Sequence, residues 1–210
     1  MSIILNNENT FDWNLFLNRL SCRLLERLEN DEFFSLSSSI ISNKWFGYYG
    51  ATKSEILTLE NRLKKTIPPS YRSFLAVTNG WGNVDLTINN KLLSTQDVNW
   101  LALNNQELID IWKSEDDCDS ISDEEYFIYG DEQDSTSFRS DYLQTALEIG
   151  GDEEGLFLLN PQIVFDNGEW EAWFFADWLP GANRYKSFID LMQDRYNSLL
   201  ECEKFREISL

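Results

Sequence analysis

An α+β fold, with a mainly antiparallel central sheet, helices ahead of it and a closing helix behind it, is predicted by three features of the sequence. Apolar residues recur at three- and four-residue steps before residue 80 and after residue 187, the period of an amphipathic helix. Between residues 143 and 175, short apolar runs are separated by Gly, Asn, Pro and Asp, the pattern of strands joined by tight turns. The pair Pro68-Pro69 divides the helical part, because proline is excluded from a helix interior but tolerated in the first turn.

Taken in order, residues 11–29 read as a helix, with Trp13, Leu17, Leu20, Leu24 and Leu28 on one face, Arg19, Arg23, Glu26 and Arg27 on others, and Asp12 as its cap. Ser35–Ser42 reads as a short helix or a linker, so residues 1–45 are expected to be a helical extension packed on a main domain of residues 46–210. Thr52-Lys53-Ser54-Glu55 fits a capping box, and Ile56, Leu59 and Leu63 continue the apolar stripe to about Lys65. After the elbow Ile67-Pro68-Pro69-Ser70, a second helix carries Tyr71, Phe74, Leu75 and Thr78 on one face, and Asn79-Gly80 is expected to end it by taking positive φ. Val84–Ile88 and Val98–Leu101 read as strands, and Gln106–Lys113 as a helix gathering Leu108, Ile109 and Trp112. Tyr126–Tyr129 is a strand-like piece, followed by an antiparallel meander of Leu143–Ile149, Leu156–Leu159, Ile163–Phe165 and Glu169–Phe175. Ser187 and Asp190 open a last helix with Phe188, Ile189, Met192, Tyr196, Leu199 and Leu200 on its apolar side.

Charge narrows the possible functions. The 210 residues include 36 Asp and Glu against 17 Lys and Arg, a net charge of −19, and no histidine. Direct nucleic-acid binding is excluded as an expectation, because phosphate contacts require a basic surface. Without histidine the chain cannot supply a Ser-His-Asp or Cys-His nucleophile system or a His-ligated zinc. With 42% apolar and 14% aromatic residues it can still bury a substantial core. Cys22, Cys118 and Cys202 are far apart and odd in number, which points to reduced thiols rather than disulfides or a metal cluster. No run approaches the ~20 apolar residues of a membrane span and the first residues lack a basic, then apolar, leader pattern, so a cytoplasmic protein is expected.

The imbalance is local. Residues 1–106 hold 10 acidic and 10 basic residues, whereas residues 107–154 hold 17 and 2, a net charge of −15. Four runs concentrate it: Glu115-Asp116-Asp117-Cys118-Asp119, Asp123-Glu124-Glu125, Asp131-Glu132-Gln133-Asp134 and Asp152-Glu153-Glu154. Any one run is explained by a solvated, solubilising surface. Four runs alternating with apolar pieces are also what a rigid surface needs to focus a negative field on a basic partner. No run has EF-hand spacing: counting from Asp117, position 6 is Ser122 and position 12 is Ile128, so no metal site is expected. Cys118, among carboxylates, should have a raised thiol pKa and is not read as a nucleophile. Trp170, Trp173, Phe174 and Phe175 occupy both parities of one strand, so either both faces of the sheet are covered or one aromatic set is exposed. Trp173 and Trp178 are candidate aromatic anchors beside the acidic runs, with core packing as the other reading.

Leu59-Glu60-Asn61-Arg62-Leu63, Ile67-Pro68-Pro69-Ser70-Tyr71-Arg72-Ser73-Phe74-Leu75 and Asn79-Gly80-Trp81-Gly82 together resemble the opening signature of the SUKH superfamily, the Smi/Knr-like domains. Ile149-Gly150-Gly151-Asp152-Glu153-Glu154-Gly155 is similar to that family's central strand-turn-strand, and Ser187-Phe188-Ile189-Asp190-Leu191-Met192 to its closing helix. Gly150–Glu154 also shares letters with the GGDEF hairpin of diguanylate cyclases, but Gly155–Pro161 fits the SUKH strand better. The resemblance spans about residues 52–193. It implies an α+β fold and, for bacterial members, an immunity protein that binds and neutralises a toxin, often a nuclease; fungal relatives are regulators or adaptors of cell-wall synthesis. Residues before about 50 and an acidic insertion near 113–141 depart from the short family pattern.

The combined expectation is a non-enzymatic protein with no catalytic residue, cofactor or metal, whose four acidic runs and two tryptophans bind a basic toxin. The alternative is an intracellular adaptor that uses the acidic segment as a flexible docking tail.

Overall fold

The N-terminal helix forms where the apolar stripe places it. A computed structural model of the chain describes residues 4, 10–28, 36–84, 90–115, 121–152, 155–176 and 178–207. Helix α1 spans Trp13–Leu28, and the Asp12 carboxylate accepts the Leu15 N–H at 2.9 Å as its cap. Trp13, Leu17, Leu20, Leu24 and Leu28 are all buried. Trp13 stands 5.4 Å from both Phe74 and Phe188, and its indole donates to Ser73 Oγ at 2.9 Å. Helix α1 therefore shares one core with the residues that follow it.

Helix α2 is short, Ser38–Asn43, capped by Ser37. Helix α3, Lys53–Leu63, begins with the expected capping box between Thr52 and Glu55. It ends earlier than the prolines require, because Lys64 takes the left-handed conformation (φ 54°) and the Lys65 N–H bonds back to the Glu60 carbonyl. The elbow is then held by Glu60, whose carboxylate accepts the Ile67 N–H at 3.1 Å and pairs with Arg72. Helix α4, Pro69–Val77, starts with proline in its first turn, where the missing N–H costs nothing. Its end differs from the expectation: Thr78 caps it in extended conformation, and the positive φ falls two residues on, at Gly80 (97°).

Strands β1 (Lys91–Leu92) and β2 (Asn99–Trp100) both pair with β3 (Leu147–Gly151), and the antiparallel sheet continues through β4 (Gly155–Val164), β5 (Trp170–Ala176) and β6 (Ala182–Tyr185). Apart from Val84, the strand expected over Val84–Ile88 lies outside the described residues. Leu101 leaves β2 as the first residue of helix α5 (Leu101–Asn104), which is followed by α6 (Gln106–Glu115). The strand expected from Leu143 begins at Leu147, since residues Ser140–Thr145 form a 3-10 helix. Leu156–Leu159 and Ile163–Val164 belong to one strand, its ladder interrupted between Asn160 and Val164 around Pro161, which has no N–H to donate. The β3–β4 turn needs its glycines: Gly151 has φ 121°, and a Cβ on Gly150 would sit 2.2 Å from the Lys91 carbonyl oxygen.

Helix α8, Phe188–Glu207, starts at Ser187, whose hydroxyl accepts the Asp190 N–H at 3.1 Å. All seven residues of β5 are buried, so both faces of the sheet are covered. Trp170, Ala172, Phe174 and Ala176 face α1, α3, α4 and α8 in the larger core. Trp173 and Phe175 face a second core built from Leu101, Ile109, Phe138 and Leu143. The acidic part of the chain is thus a third layer on the sheet's far side.

Candidate partner-binding surface

The acidic layer is fastened to the sheet by buried polar chemistry. Tyr126–Tyr129 is not a strand: helix α7 spans Asp123–Tyr126, capped by Ser122, and Gly130–Glu132 form a 3-10 turn. Tyr126 is fully buried, and its hydroxyl donates to Glu171 Oε2 at 2.7 Å. The Tyr129 hydroxyl donates to Glu171 Oε1 at 2.8 Å. Asn160 Nδ2 (2.9 Å) and Trp173 Nε1 (2.8 Å) complete four donors around this one fully buried carboxylate. Burial, and then the charge of Glu171, push both tyrosine hydroxyls well above the usual phenol range, so they remain donors.

Arg184 on β6 is also fully buried and donates to the backbone carbonyls of Tyr126 and, at 3.4 Å, Ile128. Its guanidinium lies 4.5 Å from the centre of the Tyr126 ring, and Arg139 lies 4.4 Å from it. Arg139 further bonds the Ile121 carbonyl at 2.8 Å and pairs with Asp123 at 2.5 Å. The outer edge of β6 is closed by the same segment: the Ala182 N–H reaches the Ser135 carbonyl at 3.2 Å and the Arg184 N–H reaches Gln133 Oε1 at 2.7 Å. A Cβ on Gly181 would lie 2.1 Å from the Ser135 oxygen, so glycine permits this approach.

The candidate acidic residues are distributed unequally on this frame. Asp123, Glu124 and Glu125 occupy the first turn of α7, Asp131 and Glu132 the 3-10 turn, and Asp134 follows; all six are exposed. Asp134 accepts from the Thr136 hydroxyl (2.7 Å) and N–H (2.9 Å), bonds that hold its carboxyl below the usual range. Asp152, by contrast, closes the β3–β4 turn by accepting the Gly155 N–H at 3.1 Å. Gly155 pairs with Ala176, five residues along β5 from Glu171, so that turn lies about 17 Å from the carboxylate pin. Glu115 ends α6. Asp116, Asp117, Asp119, Glu153 and Glu154 lie outside the described residues, as does Cys118.

Of the two tryptophans, Trp173 is no surface anchor: it is fully buried, its ring 5.0 Å from Phe138 and its indole N–H spent on Glu171. Trp178 is 65% exposed and leans on Phe174 at 5.8 Å. Sequence reasoning missed Phe127 and Ile128, exposed apolar residues set among the acids. It also missed Glu171 and Arg184. A glutamate within Trp170-Glu171-Ala172-Trp173 was a legible signal of a buried polar pin; Arg184 was not, because β6 itself had not been read. Among the described residues no cluster of three or more His, Cys, Asp or Glu side chains could hold a metal ion, and no helix is long and apolar enough to cross a membrane.

Residues 50–194 match the family model described as SMI1 / KNR4 family (SUKH-1). No curated protein matches the chain.

Proposed function

Because the chain belongs to the SMI1/KNR4 family (SUKH-1), we propose that it is an immunity protein that binds and neutralises a toxin. In this reading it works in the cytoplasm without catalysis, and its partner is a basic toxin domain, nucleases being the class that an acidic surface fits best. Exposed carboxylates then occupy the positions that nucleic-acid phosphates would take on the toxin. The charges steer encounter and set specificity, while a few apolar contacts hold the complex.

The observation that carries the reading is the pinning of the acidic segment. Tyr126, Tyr129 and Arg184 tie it to the sheet through bonds that a loosely attached tail would not make. Asp123, Glu124, Glu125, Asp131, Glu132 and Asp134 are the carboxylates that this frame holds on one rigid segment. Co-expression with the product of the adjacent gene tests the proposal, with rescue from toxicity and co-purification expected. Absence of both would favour the adaptor reading instead.

A further inference from the structure

We propose that Phe127 and Ile128 form the apolar anchor by which the acidic face grips a basic protein partner; this rests on the toxin-binding reading. The two residues lie between two pinned tyrosines. Tyr126 and Tyr129 both point inward and donate to the two oxygens of Glu171, at 2.7 and 2.8 Å. Arg184 holds the carbonyls of Tyr126 and Ile128 from beneath. Between the tyrosines, Phe127 and Ile128 are 43% and 40% exposed, with the Phe127 ring set edge-on to Tyr126 at 5.3 Å.

The turn thus presents two large, partly exposed apolar side chains side by side. The backbone that presents them is already ordered, so little conformational entropy remains to be lost on binding. Carboxylates flank the pair within four positions on each side: Asp123, Glu124 and Glu125 before it, Asp131 and Glu132 after it. An apolar centre inside a charged rim is the anatomy of a protein-binding hot spot. The occupant that complements it is a protein surface with an apolar socket ringed by Lys and Arg. A nucleic acid or an anionic membrane would be repelled by the same carboxylates.

The test uses the purified product of the gene adjacent to this chain's as the probe, and measures association and dissociation rates separately. Phe127→Ala/Ile128→Ala should dissociate about 30-fold faster, with association changed less than about threefold. Its melting midpoint should fall only slightly, because both side chains are part exposed and the main packing lost is the edge-on contact of Phe127 with the Tyr126 ring at 5.3 Å. Should the double variant melt early, Ile128→Ala alone carries the test. Tyr49→Ala is the control, an aromatic residue 98% exposed outside the acidic segment, and should leave both rates unchanged. If the unsubstituted chain binds and the double variant dissociates no faster, the anchor is overturned while the toxin-binding reading stands. If the unsubstituted chain does not bind, both fall together.

Discussion

The Tyr126 hydroxyl and the Glu171 carboxylate, 45 residues apart in sequence, meet in a buried 2.7 Å hydrogen bond that fastens the acidic layer to the sheet. Glu171→Ala would strand two tyrosine hydroxyls, an indole N–H and an amide. The expected cost is about 3–5 kcal/mol, read as a lower urea midpoint at unchanged slope. A loss below about 1 kcal/mol would mean that the pin is not what secures the layer.

Gly181 provides a gentler way to loosen the same layer. In Gly181→Ala the new Cβ would meet the Ser135 oxygen at 2.1 Å and the Phe138 Cβ at 2.8 Å, so residues 133–138 must leave the edge of β6. Limited proteolysis should cut this variant within residues 121–139 while the unsubstituted chain resists there. Equal resistance of the two would show that the edge pairing contributes little.

Tyr71 offers a prediction of opposite sign. It is fully buried between α4 and α8, 5.1 Å from Phe188, and its hydroxyl has no hydrogen-bond partner among the described residues. Phe at this position keeps the packing and removes a desolvated polar group, so Tyr71→Phe should stabilise the fold by about 1 kcal/mol. Destabilisation by denaturant titration would reveal a partner for the hydroxyl.

Acid sensitivity follows from three carboxyls. The Thr52 hydroxyl and N–H hold Glu55 below its ordinary value of 4.5, as Thr136 does for Asp134. A lowered folded pKa adds stability that is full above the unfolded value and is lost as pH falls through the folded one. Thr52→Ala should therefore flatten the acid limb below about pH 4.5 and, through the lost cap, cost about 1 kcal/mol near neutrality. Glu169 works the other way: burial raises its pKa even though it accepts the N–H (2.9 Å) and hydroxyl (2.6 Å) of Ser70. Its contribution opposes folding increasingly as pH rises from 4.5 through the raised value, and Glu169→Gln should remove that slope. Midpoints measured between pH 3 and 6 check both signs.

Helices were legible wherever a cap and an apolar stripe coincided, as at Thr52 with Ile56, Leu59 and Leu63, because both signals are local. The acidic layer was harder to read. Tyr126–Tyr129 has strand-like composition, yet its tyrosines seek a carboxylate far along the chain and its backbone carbonyls an arginine on β6, so tertiary bonds override local preference. Parity correctly posed the question of two covered faces around Trp173 but could not say what covers the second. That cover is the acidic segment itself, which a charge count alone would leave in solvent.

If a rigid acidic face captures a basic toxin, its charges must set the rate of encounter. Glu124, Asp131 and Glu132 carry the cleanest test, since among the described residues they are exposed and hold no structural bond. The measurement is the association rate with the purified toxin domain across a salt series, for the unsubstituted chain and for Glu124→Gln/Asp131→Asn/Glu132→Gln. The rate for the unsubstituted chain should fall steeply with salt, and the variant should associate about tenfold more slowly at low salt, with a flatter salt dependence. Equal rates for the two proteins, unmoved by salt, would contradict it.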